Sequence, residues 1–311
     1  MRTRSIHKAA LTDAVTPLEE AGKKLAYEAA VEGIVLLEND GCLPVNPKIN
    51  HGKLALYGAG AKMTIKNGML NISAYPIIEV CGSDDEERPT VLILENLKIE
   101  ASRGIQINND GYTRVEVNNT EMQALSYHGW CLQISNAVEG NAGVDILVDG
   151  GDLFSAQGYV IECNGDAEVS IKNAKLGGAA GILMQAGSLT MENTALVTEN
   201  NSTNPSIPTN TIAFMPAANA AHVILTLGPG NQISSKSGAI FHIVPMAQGS
   251  VTAQIAITGG TFIAENGHPL FSALERIEKV VEISGGSFPG ISPEESAALA
   301  PCLSESITID E

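Results

Sequence analysis

The sequence is poor in aromatic and charged residues. Of its 311 residues only 4% are Phe, Trp or Tyr and 17% are Asp, Glu, Lys or Arg, while 44% are hydrophobic. A chain with so little charge and so much hydrophobic content is expected to fold. Basic residues are the scarcer charged class, 18 Lys and Arg against 35 Asp and Glu, which gives a net charge of −17. This charge repels nucleic acid and anionic membranes, so the sequence predicts neither as a partner.

Cysteine is also scarce, and its spacing is uninformative. The five cysteines are an odd number with no close pair: Cys42, Cys81, Cys131, Cys163 and Cys302. This spacing argues against a disulfide framework and a CxxC metal site. Cys131 and Cys163 lie in apolar runs and are predicted to be buried thiols. The histidines show no metal-ligand spacing either, so we expect no metal and no cofactor.

Long hydrophobic runs are absent. The sequence opens with a basic segment, residues 1–8, but the apolar run Ile34–Leu37 is too short for a signal peptide. No run approaches the ~20 apolar residues of a transmembrane helix. We therefore expect no membrane insertion and, from the sequence as written, a cytoplasmic location.

What the sequence does contain is a repeated six-residue motif. It reads apolar, any, Asn or Gly, any, any, apolar, and successive copies begin 20 to 36 residues apart. Asn and Gly tolerate a positive φ, so each copy predicts two short strands joined by a tight corner. Eight copies begin at Ile65, Leu94, Val117, Val148, Ile171, Met191, Ile257 and Ile283, and a ninth copy, Leu227–Ile233, has one extra residue.

A loosely kept period of this length is typical of a solenoid. Glycines such as Gly129 and Gly158 introduce a further apolar run about ten residues after a motif begins, so each period holds about three strand-length segments. Stacking such coils at about 4.8 Å pairs their backbones and buries like residues on like. The predicted fold is all-β, a right-handed parallel β-helix of about nine coils; an antiparallel β-sandwich is the alternative.

The segments outside the repeats predict the remaining organisation. Residues 1–16 read as a flexible N-terminus. Thr16 and Pro17 open a helix through about Leu37, and residues 53–58 read as a strand. The β-helix is expected over 62–290. Ser292 and Glu295 form a capping box that opens a short helix to about Leu299, and residues 306–309 could add a closing strand within the 291–311 segment.

Residues 18–61 resemble the opening of the α/β sandwich domain of glycoside hydrolase family 3, the β-glucosidase-like enzymes. The segments Ala26–Val45 and Leu54–Ala61 carry this resemblance. It implies a helix followed by a strand, but no position here matches the nucleophile or the acid/base residue of that family. The open end of a solenoid needs a cover. We therefore expect segment 17–61 to act as an N-terminal cap without catalytic residues.

Residues 62–290 resemble the right-handed, pectin-lyase-like β-helices of bacterial surface proteins. The segments Ile257–Phe262 and Ile283–Phe288 are similar to the I-S-G-G-T-F repeats of those proteins. The resemblance implies a parallel β-helix, and such relatives are often found at the cell surface.

Candidate site residues are few. Trp130 and Tyr159 follow equivalent glycines, and with Tyr127 they could form an aromatic platform for a sugar ring. Because Ile105 and Ile182 also follow such glycines, an internal ladder of side chains is the alternative. Lateral loops often bind ligands, and residues 198–211 are the strongest loop candidate. The acidic segment 82–90 reads as a solvated charge run.

No catalytic residue is predicted. Asp149 and Asp152 are the close Asp pair of the repeats, but their position in a corner motif favours two solvated turn residues. A lyase would also need a basic residue, and Arg is nearly absent from the coils. We therefore expect a non-catalytic module, structural or carbohydrate-interacting, with polysaccharide as the possible partner. The alternatives are a fragment of a β-glucosidase-related hydrolase and a polysaccharide lyase or hydrolase acting in the β-helix groove.

Overall fold

The computed structural model describes residues 54–72, 76–108, 110–135, 143–203, 207, 210–244 and 251–304. All of them belong to one compact unit, Pro44–Glu311. The predicted flexible N-terminus 1–16, the helix that starts at Pro17 and the closing strand at 306–309 lie outside the described residues, as does most of the segment that resembles glycoside hydrolase family 3.

The described part of the chain is mostly β-structure. It contains eighteen strands, which are numbered here in chain order: β1 Leu54–Leu56, β2 Lys62–Ile72, β3 Ile78–Val80, β4 Thr90–Ala101, β5 Ile105–Ile107, β6 Thr113–Ala124, β7 Leu132–Ile134, β8 Val144–Cys163, β9 Glu168–Lys172, β10 Lys175–Met184, β11 Gly187–Glu192, β12 Ala195–Thr198, β13 Asn210–Phe214, β14 His222–Leu227, β15 Gln232–Ser235, β16 Ala239–Ile243, β17 Thr252–Ala264 and β18 Val281–Ser287.

Helical structure is confined to short elements near the C-terminal end of the described chain. The α-helix α1 spans Pro293–Leu299, and 3-10 turns span Glu265–Gly267, Leu274–Lys279 and Ala300–Cys302. The described chain is therefore all-β, as the sequence predicts.

The strands belong to one large sheet whose strand pairs are parallel. The first residues of all nine motif copies lie directly beside one another, in the order Ile65, Leu94, Val117, Val148, Ile171, Met191, Leu227, Ile257, Ile283. The repeat therefore sets the register between strands. The antiparallel alternative does not hold for the described strand pairs.

Three such ladders of strands run through the structure. Ladder one contains β1, β3, β5, β7, the end of β8, the end of β10, β13 and β16. Ladder two contains the first residues of the motifs, and ladder three contains the residues after each corner, from Leu70 and Ile99 to Ile233 and Phe262. β1, which lies within the glycosidase-like segment, pairs with β3 at the start of ladder one.

The corners have the predicted backbone conformation. The third motif residue has a positive φ in six copies: Asn67, Asn96, Asn119, Gly150, Asn173 and Asn193. In the last two copies the positive φ moves to the next residue, Gly260 and Gly286, so the prediction for Gly259 and Gly285 is wrong by one position. The Gly-Gly pairs of these two corners permit this shift, because either glycine can adopt a positive φ.

Side chains that alternate along the strands fill the interior. Most apolar positions of the three ladders are buried in one hydrophobic cluster, and Tyr159, Ala180 and Ala213 form a second, smaller one. Near the C-terminal end aromatic rings stack: Phe241 on Phe271 with centroids 4.7 Å apart, and Phe262 on Phe288 at 5.2 Å. These rings are the apolar residues of neighbouring repeats, so the stacking follows from the register.

The C-terminal helix closes this end of the core. Ser292 and Glu295 form the predicted capping box, so this prediction is confirmed. Glu295 is buried, and its Oε1 atom also accepts hydrogen bonds from the backbone N–H groups of Leu270 at 2.6 Å and Phe271 at 3.4 Å. One carboxylate thus accepts hydrogen bonds from the first turn of the helix and from the backbone between β17 and β18.

We expect Glu295→Ala to destabilise the C-terminal end by about 2–4 kcal/mol, because it removes a helix cap and leaves the two buried backbone donors without an acceptor. Hydrogen exchange should show faster exchange at Leu270 and Phe271, and the change should be confined to this end of the structure. The control is Glu294→Ala, which removes an exposed carboxylate of the same helical turn. Equal protection in both variants would contradict the capping role.

Candidate binding groove at the asparagine corner

A groove of about 650 Å³ runs along the corner between ladders two and three. We call it the corner groove. Its main side chains come from equivalent positions of neighbouring repeats: Asn96, Asn119 and Asn173 at the corner itself, and Lys98, Glu121, Asp152 and Lys175 two residues later. All of these side chains can form hydrogen bonds, because the outward positions of the motif are polar.

The corner asparagines hydrogen-bond to one another. Asn119 donates from Nδ2 to Asn96 Oδ1 at 2.8 Å, and Asn96 donates to Asn67 Oδ1 at 3.3 Å. Further along, Asn193 donates to Asn173 Oδ1 at 2.6 Å. These amides form a ladder because stacking like on like brings each amide within reach of the next.

The asparagine ladder is interrupted at Gly150. Asn173 would meet a side chain there, but its Nδ2 atom donates instead to Asp149 Oδ1 at 2.8 Å. On the N-terminal side of the interruption, no described residue donates a hydrogen bond to Asn119 Oδ1. The first run of the ladder therefore ends in an open acceptor that faces the corner groove.

Charged side chains stack beside the asparagines. Lys98 pairs in register with Glu121, Glu121 with Asp152, and Asp152 with Lys175. The two carboxylates thus lie on adjacent strands, and a lysine occupies the same position on the strand to either side of the pair. These charges are exposed to solvent, which screens the repulsion between the carboxylates.

A second groove adjoins the first across consecutive residues Lys172 and Asn173. Its volume of about 590 Å³ is slightly smaller than that of the corner groove, and it is no more open to solvent. It covers the outer face of ladder two, where Arg114, Asp145, Glu168 and Ser170 point outward. The polar surface therefore continues around the corner.

The Glu121–Asp152 pair is not predicted from the sequence, where Asp149 and Asp152 are the only close Asp pair considered and are interpreted as two solvated turn residues. Both residues belong to β8, but the corner at Gly150 separates them: Asp149 lies before the corner and pairs with Lys172, whereas Asp152 lies after it and pairs with Lys175. Aligning the fifth motif position of each copy would have found Glu121 beside Asp152.

The predicted aromatic residues lie elsewhere, on the side of ladder one. Trp130 is 1% exposed and Tyr159 is 4% exposed, whereas Tyr127 is 46% exposed. Neither of the first two rings offers a face to solvent, and this burial favours the internal ladder over the platform. Tyr127 donates a hydrogen bond from its hydroxyl to the backbone of Thr203 at 3.1 Å, in the predicted lateral loop 198–211.

The proposed equivalence of Ile105 and Ile182 with the two aromatic positions is wrong by two residues. Ile105 pairs with Leu132, and Ile182 pairs with Ile161. Two more residues separate Gly129 from Leu132 than separate Gly104 from Ile105, so counting from the glycine misplaces the strand. The residue that pairs with Tyr159 is Ala180.

Ladder one also carries a carboxyl group that the sequence analysis did not identify. Glu162 lies beside Gln133, which donates a hydrogen bond to it at 2.6 Å. Burial raises the pKa of the Glu162 carboxyl, although hydrogen bonds from Gln133 and Asn164 and the charge of Arg103 oppose this shift. The Arg103 guanidinium lies 5.6 Å from the Trp130 ring centroid.

Two further predictions concern individual residues. Cys131 and Cys163 are buried, as predicted, and burial raises the pKa of both thiols to about 12. In the acidic segment 82–90, Asp85 pairs with Arg88 at 2.7 Å, which fits a solvated charge run. Within the described ranges, no three His, Cys, Asp or Glu side chains are grouped closely enough to hold a metal ion.

None of the helices in the described part of the chain is long and apolar enough to span a membrane.

Comparison of the chain with protein-family models, with curated proteins and with solved structures gave no match.

We expect Trp130→Ala to lower the free energy of unfolding by about 3–5 kcal/mol, because it leaves a cavity in a packed region. The matched control is Tyr127→Ala, which should cost at most about 1 kcal/mol, the value of its one hydrogen bond. Chemical denaturation followed by circular dichroism measures both. A Trp130→Ala variant that keeps its stability and loses glycan binding would instead support the aromatic platform.

Proposed function

We propose that this chain is a non-catalytic module that binds carbohydrate along the corner groove. The parallel register of nine motif copies supports a further proposal, that the three ladders wind as a right-handed parallel β-helix of about nine coils. In such a fold the outward positions of successive coils form long rows, and a row can accompany an extended polymer.

One observation carries the binding proposal: the corner groove has a hydrogen-bonding side chain at the equivalent position of four successive strands. Amide, carboxylate and ammonium groups follow one another at the strand spacing of about 4.8 Å, over the four successive strands that hold Lys98, Glu121, Asp152 and Lys175. That spacing is close to the length of one sugar unit in an extended glycan. Side chains that both donate and accept hydrogen bonds suit sugar hydroxyls.

The charge of the protein narrows the class of glycan. A net charge of −17 repels polymers of uronic acid, so the proposed ligand is a neutral polysaccharide. In the groove two carboxylates, Glu121 and Asp152, are flanked by two lysines, Lys98 and Lys175, so the four charges sum to zero and leave no strong field to attract an ionic ligand.

The N-terminal segment 17–61 is proposed to cap the β-helix. The pairing of β1 with β3 supports this proposal, because the part of the segment that the structure describes extends ladder one. The resemblance to glycoside hydrolase family 3 would then reflect a reused helix–strand unit, and a functional hydrolase fragment remains the alternative proposal.

We expect the protein to bind neutral polysaccharides on a glycan array and to bind polygalacturonate weakly or not at all. The double variant Glu121→Gln/Asp152→Asn should reduce binding at least about tenfold, since it removes two charged hydrogen-bond acceptors. The control, Glu265→Gln/Glu294→Gln, removes two exposed carboxylates outside the groove. Absence of binding to every neutral glycan would overturn the proposal and leave a structural module.

A hydrolase acting in the same groove is the second candidate, because Glu121 and Asp152 lie on adjacent strands. Strands about 4.8 Å apart hold such carboxylates near the ~5–5.5 Å separation of retaining glycosidases. Release of reducing ends from any glycan that binds, lost in Glu121→Gln and in Asp152→Asn separately, would favour this candidate over the non-catalytic module.

A further inference from the structure

The interruption of the asparagine ladder leaves a space with a defined chemistry. Asn119 and Asn96 each donate their amide toward the N-terminal end of the ladder. The chain of amides is therefore polarised in one direction, and its last acceptor is Asn119 Oδ1. A chain of hydrogen bonds strengthens the acceptor at its open end. No side chain in the described part of the protein donates a hydrogen bond to this oxygen.

The next corner position in the stack is Gly150, which has no side chain that could donate to Asn119 Oδ1. The φ of +75° at Gly150 is positive, as are the φ values of +45° to +55° at the corner asparagines. Asparagine is one of the few residue types that tolerate a positive φ. A Cβ atom built on Gly150 would meet only backbone and Cβ atoms of Asn119, at 3.6 Å or more, which is ordinary contact. Crowding at the Cβ position therefore does not explain the glycine.

The groups around the space complement a polyol. Asp152 belongs to the same corner as Gly150, Glu121 precedes it by one strand, and Lys175 follows it by one strand. Asn119, Asp152, Asn173 and Lys175 all line the corner groove beside the space. Carboxylates accept hydrogen bonds from hydroxyl groups, and the ammonium group donates to hydroxyl oxygens.

We propose that the space over Gly150 is the central subsite of the corner groove, where one hydroxyl group of a neutral glycan donates to Asn119 Oδ1 and completes the ladder. Neighbouring hydroxyls of the same sugar bond to Asp152 and Lys175. This inference rests on the proposed function, since it names the point of the groove at which the glycan is held.

The direct test fills the space with the side chain that the ladder lacks. Gly150→Asn should form the missing amide contacts, leave the protein folded, and weaken glycan binding at least about tenfold, because the new side chain occupies the subsite. The matched control is Gly267→Asn, which makes the same change at a similar φ of +74° with nothing within 4 Å of the new Cβ. It should bind as the unmodified protein does.

Isothermal titration with cellohexaose, xylohexaose and mannohexaose measures the affinity, and thermal unfolding verifies the fold. A second variant, Asn119→Gly, keeps the positive φ of this position and removes the acceptor instead of blocking it. It should also lose binding, and it decides the question if Gly150→Asn does not fold.

The outcomes separate the two proposals. Binding of one hexasaccharide that both groove variants lose supports the subsite. Equal binding by the unmodified protein, Gly150→Asn and Asn119→Gly overturns the subsite and leaves the carbohydrate-binding function intact at another surface. If the unmodified protein binds none of the three probes and no glycan on the array, the proposed function fails and the subsite fails with it.

Discussion

Parallel pairing between strands one repeat apart is the constraint on which the other features depend. In-register pairing places each motif position beside the same position of the next copy, from Ile65 and Leu94 to Ile257 and Ile283. Apolar positions then meet apolar positions and form a continuous interior. Backbone hydrogen bonds to the strands on both sides satisfy the polar main chain, so a short strand such as β5 can be stable here although it could not be stable alone.

The same constraint organises the surface. Because equivalent positions stack, the corner asparagines lie within hydrogen-bond distance of one another and form a ladder of amides. The same stacking places Glu121 beside Asp152, although like charges repel. Solvent exposure and the adjacent lysines make this arrangement tolerable. A departure from the pattern therefore stands out: Gly150 breaks the ladder at a position where a Cβ atom would make only ordinary contacts. The polar groove and its interruption are both consequences of one register.

The end of a stack of parallel strands must be covered, because its last strand has no further neighbour. At the C-terminal end the stacked rings of Phe262 and Phe288 and the carboxylate of Glu295 provide this cover. The rings bury apolar surface, and the carboxylate accepts hydrogen bonds from the backbone N–H groups of Leu270 and Phe271.

The sequence by itself determined the repeat, the positive-φ corners at residues such as Asn119, the burial of Cys131 and Cys163, and the capping box at Ser292. These are local properties or properties that recur with the motif, so single-chain patterns reveal them. Only the tertiary structure decided which strand residues lie beside one another across the variable segments between motifs. Those segments differ in length, and therefore Trp130 and Tyr159 were misaligned with Ile105 and Ile182, and Glu121 was not recognised as the neighbour of Asp152.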